Sequence, residues 1–307
     1  MSAPAAGLAP ETNAPPLDPV GSAPRPALAD FLQLAKPRIT LLVVLTTLVG
    51  FLEGRTGTTD VPLLLHTLLG TALVAAAAST LNQWGERTAD AAMRRTARRP
   101  LPSGRLKPAQ ALGFGLALLA VGTAWLAAFV SPLASLLAAF TAASYLLAYT
   151  PLKQITPLAT VVGAVPGAIP PMIGWAAARG SLGAGAWVLF FIVFLWQMPH
   201  FLAIAALYRQ DYARAGFRVL AVVDPDGVST ARQSLLYALA LIPVSLLPTY
   251  IGLSGRWYLG GALILSLGYA AFAAALLPAP QDLARARRLF RFSLIYLPVL
   301  LLMLVTL

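Results

Sequence analysis

Apolar residues in this chain come in long runs rather than in the period-2 or period-3.6 patterns of half-buried strands and helices. With loose ends, the runs fall at 37–54, 62–83, 108–130, 132–150, 157–178, 185–207, 232–252, 257–277 and 289–307. A helix crossing a bilayer needs about 20 mostly apolar residues. Most runs reach that length; the first is short and reads as a tilted or part-interfacial helix. In lipid every backbone polar group must be bonded within its own segment, so the pattern predicts an all-α polytopic membrane protein with nine transmembrane helices. Residues 1–29, rich in Pro and Ala without periodicity, read as a disordered tail. Residues 30–307 read as one compact bundle with no convincing internal repeat, although long charged loops after the second and sixth helices suggest two related halves.

Composition agrees. The chain is 58% hydrophobic and 11% charged, with a mean hydropathy of +0.76; soluble domains carry about 25% charged residues. With no Cys, disulfides, thiolate metal sites and Cys nucleophiles are excluded. The net charge of +11 would suit nucleic acid, but its distribution points to lipid instead. Nineteen of the 22 Lys and Arg fall at the tail end and in alternate loops, among them seven in 84–107, and the other set of loops holds only Arg55, Arg179 and Arg256. The positive-inside rule makes the basic set cytoplasmic, which puts the N-terminus inside and the C-terminus outside, in the periplasm of a bacterial inner membrane. The tail lacks the n-region and h-region of a Sec signal peptide. Glu11, Asp18 and the scarcity of Arg also argue against a mitochondrial presequence. Trp175, Trp187 and Trp257 are expected in an outer interfacial belt.

Residues 82–100, NQWGERTADAAMRRTARRP, carry the strongest chemical signal. Asn82, Glu86 and Asp90 recur every four residues, which stacks them on one helix face. Arg94, Arg95, Arg98 and Arg99 follow directly. Oxygen ligands beside guanidinium forks suit a Mg²⁺–diphosphate pair; the competing reading is a solvated, charged helix end. Lys153 is the lone cation of YTPLKQITP (149–157), a loop shaped by prolines. It serves either as a marker of the inner face or as a point charge for a phosphate oxygen. His200 lies in an apolar run after Pro199, which can kink a helix and open a cavity. It is either a hydrogen-bonded core residue or a ligand. Asp211 comes about three turns later, placed to join the metal or assist proton transfer. Asp224 and Asp226, in VDPDGVST, read as a turn, and His66 has no assigned role.

Taken together, these segments resemble the UbiA superfamily of intramembrane prenyltransferases, and within it the protoheme IX farnesyltransferase (heme O synthase) subfamily, from about Phe31 to the C-terminus. LQLAKPRIT (32–40) looks like the subfamily's first-helix signature. Asn82–Pro100 is similar to its N-x-x-x-D-x-x-x-D-x-x-M-x-R-T-x-x-R-P motif, and 149–157 to its Y-T-x-x-L-K-R-x-T-P segment. Pro199-His200-Phe201 and Asp211-Tyr212 with Ala215-Gly216 match its P-H-F and D-Y-x-x-A-G elements. There are departures. Glu86 replaces an Asp and reaches one methylene further; Gln154 replaces an Arg; 217–223 read FRVLAVV; and Ala215 stands where a second D-x-x-x-D would end.

The resemblance implies a nine-helix bundle whose cavity opens to the cytoplasmic side. It implies transfer of farnesyl from farnesyl diphosphate to the 2-vinyl group of heme B, with heme as substrate and Mg²⁺ as cofactor. Asn82, Glu86 and Asp90 are the expected metal ligands, and Arg94, Arg95, Arg98 and Lys153 the expected diphosphate cations. Lys36, Arg38, Tyr149, Trp196, His200 and Arg209 are expected to contact substrate, with Arg209 or Arg214 meeting heme propionates. His200 either ligates iron or positions water, and Asp211 is catalytic. Heme A synthase is the implied partner downstream. Two other readings remain: a relative that prenylates an aromatic or chlorin acceptor, and a membrane transporter. Transporters place ionisable groups near mid-membrane, whereas here only His200 lies deep.

Overall fold

The computed structural model describes residues 27–307, which fold into helices and turns with no strand among them. In chain order the helices are α1 (Ala27–Leu34), α2 (Pro37–Gly54), α3 (Val61–Gly85), α4 (Arg87–Ala92), α5 (Pro108–Phe129) and α6 (Pro132–Ala143). A π-helical turn (Ser144–Tyr149) then leads into α7 (Thr150–Leu152), α8 (Ala159–Ala168), α9 (Pro170–Arg179) and α10 (Ala184–Leu207). The chain ends with α11 (Arg209–Arg214), α12 (Leu220–Val223), α13 (Val228–Tyr250), α14 (Arg256–Ala274) and α15 (Leu283–Thr306). Nine stretches are long and apolar enough to cross a membrane among the described residues: α2, α3, α5, α6 through α7, α8 with α9, α10, α13, α14 and α15. The protein is therefore an all-α, multi-pass membrane protein.

Local chemistry sets the boundaries. Pro37, Pro108 and Pro132 open their helices, at a position where the missing N–H costs nothing. Asp60 and Ser131 cap α3 and α6 by accepting the Leu63 and Ala134 N–H groups. Most of the expected tail, 1–29, lies outside the described residues. Its last three residues are helical, because α1 is docked: Leu34 is fully buried with Leu101, Leu106 and Ala111, and Asp30 pairs with Arg105 at 2.8 Å. The ninth span begins at Leu283 rather than 289, since Asp282 caps it through the Ala284 and Arg285 N–H groups. Its arginines therefore sit on a helix instead of in a loop. Asp224 acts in the same way ahead of α13, accepting both the N–H and the hydroxyl of Thr230.

Large apolar side chains such as Leu65, Leu116, Leu136, Phe140 and Ile264 are exposed. A soluble protein hides such residues; here they form the surface that meets lipid. Inside, small residues let helices touch, as expected where lipid removes the hydrophobic drive between helices. A Cβ on Gly174 of α9 would lie 1.9 Å from the Thr47 carbonyl oxygen of α2, and one on Gly50 of α2 would lie 1.9 Å from that of Pro171. Gly174→Ala is accordingly expected to lower stability in detergent by about 1–3 kcal/mol, an overpacking cost. Gly113→Ala, with nothing within 4 Å, should leave it unchanged or raise it slightly, as Ala favours helix. Thermal unfolding of the two variants measures the contrast. Trp187 and Trp257 are exposed as an interfacial belt requires, but Trp175 is buried. Gly54 and Gly185 leave a slot for its ring between α2 and α10.

Candidate active site

The predicted single helix through Asn82, Glu86 and Asp90 is split. α3 ends at Gly85, Glu86 forms the junction at φ −93° and ψ 9°, and α4 carries Asp90. The one-face arrangement survives because the junction keeps helical bonding: Glu86 N–H reaches the Asn82 carbonyl at 2.8 Å and Asp90 N–H the Glu86 carbonyl at 2.7 Å. All three side chains are buried, Asp90 to 1% exposure. A burial this deep rules out the solvated helix end.

Each carboxylate grips a cation. Lys153 Nζ donates to Glu86 Oε1 at 2.6 Å, and Arg99 holds both oxygens of Asp90 at 2.9 and 2.7 Å. Asn82 donates its amide to Thr150 Oγ1 at 3.1 Å, and Thr150 donates onward to the Tyr145 carbonyl. This links α3 to the π-helical turn, a distortion common at functional sites. Tyr149, at the end of that turn, lays its ring 4.3 Å from Lys153 Nζ. Burial works against the Lys153 charge, but Glu86 prevails and holds its pKa above the ordinary lysine value.

Lys36 completes the cluster. It is the only non-glycine residue with positive φ among the described residues, at 47° just ahead of Pro37. A strained backbone of this kind persists only where the surroundings enforce it. Burial, followed by the neighbouring Arg99 and Lys153 charges, pulls its pKa down to about 7. Three crowded cations beside two carboxylates form a cluster that an additional anion would relax. Arg38, the second residue of α2, is exposed.

The remaining arginines behave differently from one another. Arg95 donates to the Tyr212 hydroxyl at 2.9 Å and packs over the rings of Tyr208 and Tyr212. Arg94 is exposed, with its backbone N–H on Asp211. Arg98 is exposed and its side chain makes no hydrogen bond among the described residues, while Arg99 reaches Asp90. Spacing could not have selected Arg99, since 93–104 runs as successive turns whose path depends on tertiary contacts.

α10 and α11 echo α3 and α4: a long span, a break at Tyr208, then a six-residue helix bearing an acid, Asp211. Asp211 pairs with Arg214. It does not gather with Glu86 and Asp90, and among the described residues no three His, Asp or Glu side chains converge to cage a metal. Beside it a cleft of about 510 Å³ is lined by Arg94, Arg209, Arg214, Asp224 and Gln281 among others. Arg209 donates to the Pro225 carbonyl. Deeper in α10, the half-buried His200 ring stacks on Trp196 at 5.0 Å, with its Nδ1 2.7 Å from Ser293 Oγ. Trp196 donates to the Ser293 carbonyl.

The donor set fits Mg²⁺ on its chemistry. Glu86, Asp90 and the free Asn82 carbonyl are hard oxygens. A cage of two carboxylates is also usual for a metal that keeps waters and shares its shell with substrate phosphates.

The chain is similar to known proteins in sequence and in fold. The UbiA prenyltransferase family pattern matches residues 43–295. A protoheme IX farnesyltransferase of Solibacter usitatus is 49% identical over 282 residues, covering 89% of this chain and 96% of its own. Among solved structures, one of digeranylgeranylglyceryl phosphate synthase superposes with a TM-score of 0.77 at 20% identity, covering 91% of this chain and 97% of the other. A UbiA homolog from Archaeoglobus fulgidus bound to DMAPP and Mg²⁺ gives 0.64 at 16%, covering 88% and 99%. With nine spans among the described residues and a match across most of its length, the chain belongs to the UbiA prenyltransferase family.

Proposed function

We propose that the protein transfers the farnesyl group of farnesyl diphosphate to the 2-vinyl group of heme B, giving heme O and diphosphate. One observation carries the reading: two buried carboxylates, each already holding a cation, with Lys36 crowded against them. Such a cluster takes a metal on its acids and a diphosphate on its cations in one exchange of partners. The nature of the acceptor comes from the Solibacter relative, a protoheme IX farnesyltransferase by name. Use of Mg²⁺ draws on the Archaeoglobus homolog, which binds it together with DMAPP.

In this mechanism Asn82, Glu86 and Asp90 hold Mg²⁺, which when bound would supply positive charge opposite the leaving diphosphate. Lys153 and Arg99 turn from the carboxylates to diphosphate oxygens, and with Lys36 they stabilise the charge that develops there. Arg94, Arg95 and Arg98 form the outer part of the same basic rim. The C1–O bond of the farnesyl ester breaks and its electron pair leaves with diphosphate. The terminal vinyl carbon attacks the allylic cation to form the new C–C bond. Water captures the cation left beside the macrocycle and loses a proton, which makes the hydroxyl. Tyr149, Trp196 and the apolar helix walls keep bulk water out until that step. His200 faces the acceptor, Arg209 and Arg214 meet its propionates, and Asp211 keeps Arg214 in place. Lys36 and Arg38 lie on the route to the rim, which opens to the cytoplasm of a bacterial inner membrane. The N-terminus then lies inside and the C-terminus in the periplasm, and a heme A synthase would take up the product.

The test is a product assay with purified protein, heme B, farnesyl diphosphate and Mg²⁺, read by chromatography and mass spectrometry. The expected product is heavier than heme B by one farnesyl plus the elements of water, and chelation by EDTA abolishes it. Diphosphate release with heme unchanged would reject heme as the acceptor.

A further inference from the structure

We infer that Ser293 is a positioning residue that holds His200 in the tautomer whose Nε2 carries a free lone pair. Ser293 Oγ makes two short hydrogen bonds, with His200 Nδ1 at 2.7 Å and with the Phe290 carbonyl oxygen at 2.6 Å. The hydroxyl has a single proton, and a carbonyl can only accept. The proton therefore goes to Phe290, and Oγ must accept from Nδ1–H. The opposite assignment would leave two lone-pair oxygens 2.6 Å apart with no proton between them, at a residue with no solvent exposure. Nδ1–H leaves Nε2 unprotonated, and Nε2 has no hydrogen-bond partner among the described residues.

The ring is also fixed in orientation. Trp196 stacks on it at an interplanar angle of 25°, and the rings of Phe290 and Phe201 close two other sides. Trp196 is itself locked, donating to the Ser293 carbonyl at 2.8 Å and accepting at its own carbonyl from the Tyr269 hydroxyl at 3.0 Å. Tyr269 stacks on Tyr296, which bonds Ser266; Ser266 bonds Ser245, whose carbonyl accepts from Tyr258. Ser293, Tyr269, Tyr296, Ser266, Ser245 and Tyr258 are fully buried. Polar groups in a lipid-embedded interior are costly to leave unmet, and each polar side chain of this seam between α10, α13, α14 and α15 has a partner within it. Its one open valence is Nε2 of His200. A neutral imidazole presenting a lone pair is the form that an iron centre accepts as ligand, and the partner on the other ring nitrogen sets that form. This inference rests on the heme reading of the acceptor for its functional consequence, but not for the tautomer.

Two measurements on the full-length protein test it. The chain has only two histidines, so ¹⁵N-histidine NMR in detergent, with His66→Gln for assignment, reads the tautomer without heme. A protonated Nδ1 and bare Nε2 in the wild type, giving way to mixed tautomers in Ser293→Ala, is expected; an Nε2–H wild type overturns the inference. The second measurement is kinetic and spectral. Ser293→Ala should lower kcat with heme B about 10–100-fold and shift the absorption band of bound heme, while KM for farnesyl diphosphate stays unchanged. Ser266→Ala removes a seam hydrogen bond away from His200, so it should lower the melting temperature but keep rate and spectrum. If Ser293→Ala keeps wild-type rate and spectrum, or if both variants lose activity in step with melting temperature, the positioning role fails. A wild type that leaves heme unmodified refutes the acceptor assignment instead, and the NMR result still decides the tautomer.

Discussion

Asp90→Ala is expected to cut farnesyl transfer by about a hundred- to a thousand-fold in kcat, the scale of losing one charge-stabilising group from a dry active site. The loss is twofold in origin. A carboxylate that would hold the metal disappears, and Arg99 loses the partner that aims its guanidinium with both nitrogen–oxygen contacts under 3 Å. Asp90→Asn separates the two effects. It keeps an oxygen for Arg99 and the shape of the site but removes the charge, so Arg99 stays in place while catalysis still falls. The measurement is single-turnover transfer at saturating farnesyl diphosphate across a Mg²⁺ titration. An Asp90→Asn protein with wild-type kcat and unchanged metal dependence would eliminate Asp90 from the metal site.

Lys153→Met carries the second large effect, on stability as well as rate. Lys153 and Glu86 side chains are 11% and 7% exposed and 2.6 Å apart. Taking away one partner leaves the other charge buried alone, which costs about 3–5 kcal/mol. Glu86→Gln should cost a similar amount. The double variant should recover part of the loss, because neither charge is then stranded; the difference between the double and the summed singles measures the coupling. Denaturation in mixed micelles gives these values. The pH window follows from the lysine's raised pKa. The stabilisation is fully present below the ordinary lysine value and disappears only as pH climbs through the higher value in the folded protein. The Lys153→Met defect is thus expected undiminished at neutral and mildly alkaline pH. Additive single-variant losses would mean that the pair contributes nothing as a pair. Catalytically, all three proteins should be impaired, since stability recovered in the double variant restores neither the acid nor the cation.

Much of the architecture was legible before any contact was known. An apolar run long enough to span a bilayer has one stable backbone solution, the helix, so the nine spans could be read from residue type alone. The first was placed residue for residue at 37–54, and most of the others to within a few residues. Boundaries failed where a side chain extended a helix beyond its apolar run, as Asp224 and Asp282 do. The acid row was readable because four-residue spacing is local, and it survived even the break at Glu86.

What spacing could not supply is partner choice, which depends on where distant segments meet. Glu86 finds Lys153 67 positions away, and Asp90 takes Arg99 while Arg98, next to it in sequence, stays exposed. Asp211, spaced to look like a further metal ligand, is held by Arg214 and the Arg94 backbone on the other charged loop. Trp175 has the composition of an interfacial residue, but glycines on neighbouring helices make room to bury it. Ser293 gave no local signal; its role exists only because α15 packs against α10. Hydrophobic length and local periodicity act within one segment, and so the sequence by itself determined the membrane helices and the candidate acids. Ion pairs, tautomers and burial are properties of contacts between segments, and only the tertiary structure decided them.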